Sequence, residues 1–236
     1  MNRLVNHPQQ PLPFAFDVAP VFDNFHIGAN QLAFDLLHGL QTDQQIQQVY
    51  MWGGRQCGKT HLLMAAHQQW LSAKRQSFYI ALDSVRYSAT LLDDLDGYDL
   101  VVLDDIDKVT GQTDWEVALF NLINFCREQS CKLVLSADRA PASEHWTLAD
   151  LHSRLSWGPV VQLRALSEAQ VREAMFGSAL ARGLQLDNEA ADFLLRHYSR
   201  EVNNLLQVIA ILDSESLAAG RARITVPFLK RCLSFA

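Results

Sequence analysis

The chain alternates between short apolar runs and longer segments in which apolar residues recur every three or four positions. Five runs have the length and the Val, Ile and Leu content of buried strands: Val49–Trp52, Phe78–Leu82, Leu100–Leu103, Leu133–Ala137 and Val160–Leu163. Helical periodicity fills the intervals, from Thr60, near Ser84–Leu95, from Asp114 and near Leu148. Continuous apolar strands separated by helices are typical of a parallel sheet covered on both faces. The pattern therefore predicts a doubly wound α/β domain with five parallel strands.

Beyond Leu163 the pattern is helical alone. Ser167–Gln170 has the form of a capping box, and Gly183 is a suitable helix stop. Asp187 can cap the next helix, and Thr225–Pro227 can begin the last one. These signals predict a small all-helical domain after the sheet.

The domain organisation follows from these patterns. We expect a tail over residues 1–20, an α/β domain over residues 21–165 and a helical lid over residues 166–236. The tail holds four of the seven prolines and few residues typical of strands, so it is expected to be extended or disordered.

Composition and charge exclude several classes of protein. With 49% hydrophobic and 19% charged residues among 236, the chain has the make-up of a globular protein. Its net charge of −6 lacks the basic footprint of non-specific nucleic-acid binding, so any direct DNA contact is expected to be weak. No apolar run approaches the roughly 18 residues needed to cross a bilayer, and the N-terminus lacks the apolar segment of a secretory signal, so neither membrane insertion nor secretion is expected. The four cysteines lack zinc-site spacing, which favours reduced thiols in the cytoplasm.

Residues 53–60 fit the pattern G-x-x-x-x-G-K-[ST] between a predicted strand and a predicted helix. In order they are Gly53, Gly54, Arg55, Gln56, Cys57, Gly58, Lys59 and Thr60, and His61 follows. Glycines let the backbone wrap a phosphate, and the helix N-terminus adds partial positive charge. Lys59 is expected to neutralise the terminal phosphates and the Thr60 hydroxyl to ligate Mg²⁺. The motif predicts a bound nucleotide.

Acidic residues follow two of the predicted strands. Asp104 and Asp105 come after Leu100–Leu103, where Asp104 can support Mg²⁺ and Asp105 can polarise a water. Asp138 follows the next strand, where it can face the terminal phosphate or serve only as a turn cap. Arg154 precedes the last strand and is either a structural ion-pair partner or an arginine finger acting across a subunit boundary. Spacing alone leaves both pairs of alternatives open.

Five segments, in order, resemble successive boxes of the AAA+ domain of the DnaA replication initiator. They are Phe22–Asn30, Gly58–Leu63, Leu103–Ile106, Ser136–Arg139 and Ser153–Gly158, within a similarity that covers about residues 20 to 234. The resemblance implies an AAA+ P-loop fold with a helical lid, ADP or ATP as cofactor and Mg²⁺ as its metal. It also implies that Phe25 and Ile27 help to form the adenine pocket and that Arg154 acts on ATP bound by a partner. Where such lids usually supply a sensor arginine, this chain has Asn203, so either Arg200 reaches the nucleotide or self-hydrolysis is weak.

The sequence stops soon after the lid, whereas the initiator continues into a basic DNA-binding domain. In this it is similar to regulatory relatives of the initiator, and that similarity implies three properties: ADP binding, attachment to the DNA-loaded sliding clamp of DNA polymerase III, and stimulated hydrolysis of DnaA-bound ATP. Association of copies through AAA+ interfaces is a further expectation. Gln9, Leu12 and Phe14 resemble the clamp-binding peptide Q-x-x-L-x-F, an extended segment whose side chains enter pockets on the partner.

Two other functions fit parts of the sequence. A self-acting ATPase, such as a helicase-loading or origin-remodelling factor, fits the carboxylates at 104 and 105, although Asn203 argues against it. A DNA-bound structural partner without nucleotide chemistry is opposed by the net negative charge.

Overall fold

The computed structural model describes residues 19–82, 87–198 and 202–233. The expected clamp-binding residues Gln9, Leu12 and Phe14 lie outside these ranges, and so does Arg200. None of the described helices combines the length and the apolar character needed to cross a membrane.

The first part of the chain alternates strands and helices. In order they are α1 (Gln31–Gly39), β1 (Gln48–Trp52), α2 (Lys59–Ser72), β2 (Ser77–Ala81), β3 (Leu100–Asp104), α3 (Thr113–Glu128), β4 (Lys132–Ala137), α4 (Ala149–Leu155) and β5 (Val160–Gln162). Short 3-10 turns lie at Phe22–Asn24, Ala89–Leu92, Ile106–Val109 and Pro141–Ser143. The strands form one parallel sheet in the order β2-β3-β4-β1-β5. The predicted five-stranded parallel α/β architecture is confirmed.

The three central strands, β1, β3 and β4, are buried on both faces of the sheet, as their continuous apolar sequences require. Along β1, Val49 and Met51 pack with α1 and α2, whereas Tyr50 points to the other face and packs with α3 and α4. Every residue of β3 is buried, including the terminal Asp104. Because all five strands run in the same direction, their carboxyl ends bring the phosphate loop, Asp104 and Asp138 to one edge.

The second part is mostly helical. It contains α5 (Glu168–Ala181), β6 (Gln185–Leu186), α6 (Asn188–His197), α7 (Val202–Ala219), β7 (Arg223–Ile224) and α8 (Val226–Cys232). The capping box forms as predicted, with the Gln170 N–H donating to Ser167 Oγ and the Ser167 N–H donating to Gln170 Oε1. Gly183 ends α5 with a left-handed φ of 73°, which suits a residue without a Cβ. The helices enclose their own apolar core around Met175, Leu194 and Leu212.

Three local predictions differ from the structure. The lid is not all-helical, since β6 and β7 form a short parallel pair. Asp187 precedes α6, yet its carboxylate pairs with Arg223 Nε at 2.9 Å and makes no capping hydrogen bond. Within the described part of the expected helix over 84–95 there is only the turn Ala89–Leu92, because Ser88 caps that turn and aspartates and Gly97 follow it.

A buried glutamate fastens the helix that carries Arg154. Glu116, on α3, is 1% exposed, and its carboxylate accepts the N–H groups of Gly111 at 2.8 Å and Leu148 at 2.7 Å. Leu148 is the residue that precedes α4. One side chain therefore accepts hydrogen bonds from two backbone N–H groups that no helix or strand satisfies, and its bond to Leu148 helps to define where α4 begins.

Replacing Glu116 with alanine is expected to lower the free energy of unfolding by about 1 to 3 kcal/mol, because two buried N–H groups lose their acceptors. Urea unfolding measures this loss. Glu128→Ala is the matched control, since Glu128 is exposed at the end of the same helix, and it should stay within about 0.5 kcal/mol of the unmodified protein. Equal stability of the two variants would contradict the fastening role.

Candidate nucleotide-binding site

The predicted phosphate loop connects the carboxyl end of β1 to the first turn of α2. Gln56 and Gly58 have left-handed φ values of 63° and 96°. A Cβ on Gly53 would lie 2.5 Å from the Leu163 carbonyl oxygen, and one on Gly58 would lie 2.7 Å from the Phe25 ring. Both glycines are therefore required by close packing, and Gly58 is required by its conformation as well.

Lys59 is buried at the start of α2, and its ammonium group points back into the loop. Lys59 Nζ donates to the Gly53 carbonyl at 2.8 Å and to Asp138 Oδ1 at 2.9 Å. The other oxygen of Asp138 accepts from Lys108 Nζ at 3.3 Å, and Lys108 also bonds Asp107 at 2.9 Å. The hydrogen bond from Lys59 is the main cause that lowers the pKa of Asp138. The sheet edge thus joins Lys59 and Asp138 in a direct ion pair, which the sequence alone did not predict.

Asp104 accepts hydrogen bonds from hydroxyl groups on three different elements. Its Oδ2 accepts from Thr60 Oγ1 at 2.7 Å and from the Tyr79 hydroxyl at 3.1 Å, and its Oδ1 accepts from Ser136 Oγ. The predicted metal pair, Thr60 and Asp104, is therefore in direct contact. Hydroxyl and carboxylate oxygens are the hard ligands that Mg²⁺ prefers, so the donor set fits this ion.

Asp105 lies beside this pair in a left-handed conformation, with φ of 57°. Its N–H donates to Ser136 Oγ at 3.0 Å. Asp105 also lines the cleft beside the phosphate loop, together with Lys108 and Asp138. Burial, and then the charge of Asp104, raise the pKa of Asp105. A carboxylate that is partly desolvated in this way is suited to accept a hydrogen bond from water or a proton.

A second cleft, which we term the lid cleft, opens between the N-terminal segment and the lid. It has a volume of about 700 Å³, and its lining includes Ile27, Leu166, Gln170, Asn203 and Leu206. This size and mixed lining suit a ligand such as a nucleoside. Ile27, one of the two residues expected in the adenine pocket, lines this cleft. Phe25 instead packs its ring against Gly58 and, with 5.3 Å between ring centres, against His61.

His61 joins the N-terminal segment, α2 and the lid. His61 Nε2 lies 3.0 Å from the Val21 carbonyl, which only accepts, so Nε2 carries the proton. Nδ1 then accepts from Asn203 Nδ2 at 2.7 Å. Burial lowers the pKa of His61, which favours this neutral form. Asn203 therefore links the lid to α2 through His61, and it also lines both the lid cleft and the cleft beside the phosphate loop.

Arg154 lies at the opposite end of the sheet from the phosphate loop. Its carbonyl accepts from the Gln48 side chain, at the first residue of β1, whereas the loop follows the last residue of that strand. Five strand residues span about 16 Å. Arg154 is therefore remote from this chain's own phosphate loop.

The Arg154 guanidinium is held by stacking and one hydrogen bond. It lies 4.0 Å from the Phe120 ring centre and 4.7 Å from that of Trp157, and Nη1 donates to Asn124 Oδ1. Nε is buried without a hydrogen-bond partner among the described residues. Among the described residues Arg154 also forms no ion pair, so the structure does not show the structural ion pair that was one of the two alternatives for this residue.

Comparison with known proteins identifies the family. Residues 17–162 match the model of the bacterial DnaA ATPase domain, and residues 168–233 match that of the lid domain of Hda. The chain belongs to the DnaA family of AAA+ proteins. Within this family it is similar to an uncharacterized protein of Haemophilus influenzae, with 36% identity over 96% of this chain and 98% of the relative.

Solved structures agree on the AAA+ fold. Domain III of the Thermotoga maritima initiator DnaA superposes with a TM-score of 0.69 at 19% identity, covering 91% of this chain and 95% of that one. AMPPCP-bound DnaA from Aquifex aeolicus gives 0.65 at 20% identity over 85% and 68% of the two chains. The Thermotoga maritima branch migration motor RuvB gives 0.59 at 14% identity over 91% and 71%.

Several residues of this DnaA-family site were not predicted from the sequence. Lys108 adds a cation beside Asp138, and Tyr79 reaches Asp104 from the neighbouring strand. Asn30 bonds both backbone groups of Arg164, at 2.9 and 2.8 Å, where the sheet leads into the lid. The position of Lys108, a basic residue shortly after the acidic end of β3, could have indicated its place beside the site. Tyr79 and Asn30 act through contacts between distant segments, which one sequence does not reveal.

Proposed function

We propose that this DnaA-family protein is a nucleotide-binding regulator that docks on the DNA sliding clamp and stimulates hydrolysis of ATP held by the DnaA initiator, thereby restraining replication initiation. The observation that carries this proposal is Arg154, a partly buried side chain at the end of the sheet opposite the chain's own phosphate loop, without an acidic partner among the described residues. An arginine in that position is available to a nucleotide bound by another subunit.

The chain's own nucleotide is proposed to be ADP or ATP with Mg²⁺. Gly53–Thr60 would hold the phosphates, Thr60 and Asp104 would support Mg²⁺, and the lid cleft would take the nucleoside. A bound metal ion and the N-terminus of α2 would supply positive charge for the phosphates. A nucleotide bridging the phosphate loop and the lid cleft would stabilise the folded protein, since any ligand specific to the folded state does so. AMPPCP in related DnaA structures supports an adenine nucleotide.

The residues suit activation of a partner better than turnover in the chain's own site. Asn203, at the position where the lid was expected to supply an arginine, has no cationic group and bonds His61. Arg154, by contrast, offers a planar fork of donors that matches phosphate oxygens. Its stacking on Phe120 and Trp157 would hold the guanidinium in one position before a partner arrives.

Lys59→Ala is expected to weaken ADP binding about 10- to 100-fold, because hydrogen bonds to charged groups contribute about 1.5 to 3 kcal/mol. Equilibrium titration measures this, and the rise in melting temperature with added ADP should shrink in parallel. Lys230→Ala, an exposed lysine on α8, is the control and should bind as the unmodified protein does. Unchanged ADP affinity in Lys59→Ala would contradict the proposed phosphate site.

A self-acting ATPase is the second candidate, favoured by the intact set of Lys59, Thr60, Asp104 and Asp105 at one sheet edge. Steady-state turnover by the isolated chain separates the two functions, together with the nucleotide that copurifies. We expect bound ADP and slow turnover. Robust turnover without a partner would favour the ATPase, and a salt-sensitive affinity for DNA without clamp would favour a DNA-bound structural role.

A further inference from the structure

Gln48 is a buried polar side chain at the start of β1, a strand that is otherwise apolar. It is 6% exposed, and an amide in such a place is costly unless it is hydrogen-bonded. Gln48 Nε2 donates to the Arg154 carbonyl at 2.9 Å and to the Leu155 carbonyl at 3.1 Å. These are the last two residues of α4. Carbonyls in the last turn of a helix have no partner within the helix, so Gln48 supplies donors from the sheet to the end of α4.

The turn after α4 is packed against the same residue. A Cβ on Gly158 would lie 1.9 Å from the Gln48 carbonyl oxygen, so the two backbones are in close contact. Between α4 and Gly158 lies Trp157, whose N–H donates to the Arg154 carbonyl at 3.2 Å. Its ring centre lies 4.7 Å from Arg154 Cζ. Gln48 therefore contacts both the helix end that carries Arg154 and the turn that carries a stacking partner of its guanidinium.

The position of α4 depends on contacts of this kind. The helix has seven residues, and the side chain of Leu148, which precedes it, makes no capping hydrogen bond. Helices this short are not stable by themselves. Glu116 bonds the backbone where α4 begins, and Gln48 bonds it where α4 ends. Since Arg154 lies in the last turn, the hydrogen bonds from Gln48 act on the backbone from which its side chain extends.

We propose that Gln48 is a positioning residue for Arg154, because its two hydrogen bonds hold the end of α4 in the orientation from which the guanidinium reaches a phosphate bound by another subunit. The inference rests on the proposed function, in which Arg154 acts on the partner's ATP. Rates are sensitive to such placement, since a shift of about 1 Å lowers a rate by about 10²-fold. The two ends of β1 then serve different nucleotides: its last residue leads into the phosphate loop, and its first residue positions Arg154.

The test is single-turnover hydrolysis of ATP bound to the initiator, with clamp loaded on DNA, followed at increasing concentrations of the full chain. Gln48→Met keeps the length of the side chain and removes both donors. We expect its maximum rate to be about 10- to 100-fold lower, with the half-maximal concentration and the ADP affinity unchanged. A residue needed only for folding would instead reduce the fraction of active protein, which raises the half-maximal concentration and leaves the maximum rate unaltered. Gln45→Met, the same substitution at an exposed position before β1, should match the unmodified protein.

Two further variants separate hydrogen bonding from packing. Gln48→Glu has nearly the same shape, but a carboxylate cannot donate to the two carbonyls, so this variant should be at least as impaired as Gln48→Met. In the Arg154→Ala background, Gln48→Met should cause no further loss of rate, because Gln48 acts through Arg154.

The proposal would be overturned by a full maximum rate in Gln48→Met or Gln48→Glu, by a change in the half-maximal concentration alone, or by a further loss in the Arg154→Ala background. If Gln48→Met does not fold, as judged by ADP titration and thermal unfolding, Gln48→Leu gives the same comparison. Absence of stimulation by the unmodified protein, or full stimulation by Arg154→Ala, would instead contradict the proposed function itself.

Discussion

Replacing Arg154 with alanine is expected to lower the stimulated hydrolysis of initiator-bound ATP by about 10³-fold or more, the range found for arginine fingers that act in trans. The guanidinium would stabilise charge that develops on the transferred phosphoryl group, so its loss acts on the rate of hydrolysis. ADP binding should be unaffected, because Arg154 lies at the opposite end of the sheet from the phosphate loop. Single-turnover hydrolysis and ADP titration measure the two effects separately. Arg154→Lys should also be strongly impaired, since an ammonium group lacks the planar fork.

Arg127→Ala is the matched control for this experiment. Arg127 stacks on the same Trp157 ring, with its Cζ 4.4 Å from the ring centre, but it is more exposed than Arg154 and has no bond to Asn124 among the described residues. Its loss removes a similar cation and stacking contact and should reduce stimulation far less. If Arg127→Ala abolished stimulation while Arg154→Ala retained it, the finger would be assigned to the wrong arginine. Full stimulation by Arg154→Ala would end the proposal of a finger in this chain.

The second large effect is expected in the tail. Changing Gln9, Leu12 and Phe14 together to alanine should weaken clamp binding by about 10²-fold or more, since two large apolar side chains would no longer be buried in the partner. ADP affinity should be unchanged. Surface plasmon resonance on immobilised clamp measures the loss. The alternate residues Gln10, Pro11 and Pro13 changed to alanine form the control, and equal loss in both triple variants would contradict a specific Q-x-x-L-x-F contact.

The two defects should differ in how they respond to concentration. Docking on the clamp raises the effective concentration of the regulator near the initiator, whereas the finger acts on the chemical step. Raising the concentration of the tail variant should therefore recover stimulation. No concentration of Arg154→Ala should recover it.

The sequence predicted the sheet because its three central strands, β1, β3 and β4, are buried on both faces and so have continuous apolar runs. Local signals were sufficient for the capping box at Ser167 and the stop at Gly183. They were insufficient for Asp187, whose carboxylate pairs with Arg223 from the distant β7. The short β6–β7 pair has too few residues to leave a periodic pattern.

The site was predictable to the extent that its residues follow one another along the chain. The phosphate loop and Asp104 belong to motifs with fixed spacing, and the parallel sheet brings them to one edge. The partners that determine how these groups behave come from other elements: Tyr79 of β2 bonds Asp104, and Lys108 of the 3-10 turn Ile106–Val109 bonds Asp138. In the same way, α3 supplies Phe120 and Asn124, which hold Arg154. Such contacts depend on the register of packed elements, which motif spacing does not encode.

The central claim is that the relevant hydrolysis occurs in the partner's site. It is tested most directly by loading the initiator with labelled ATP and this chain with unlabelled ADP, adding clamp loaded on DNA, and following a single turnover. We expect rapid conversion of the label to ADP that stays bound to the initiator, with a rate that depends on Arg154. Conversion no faster than that of the initiator alone, or labelled ADP recovered on this chain, would contradict the account.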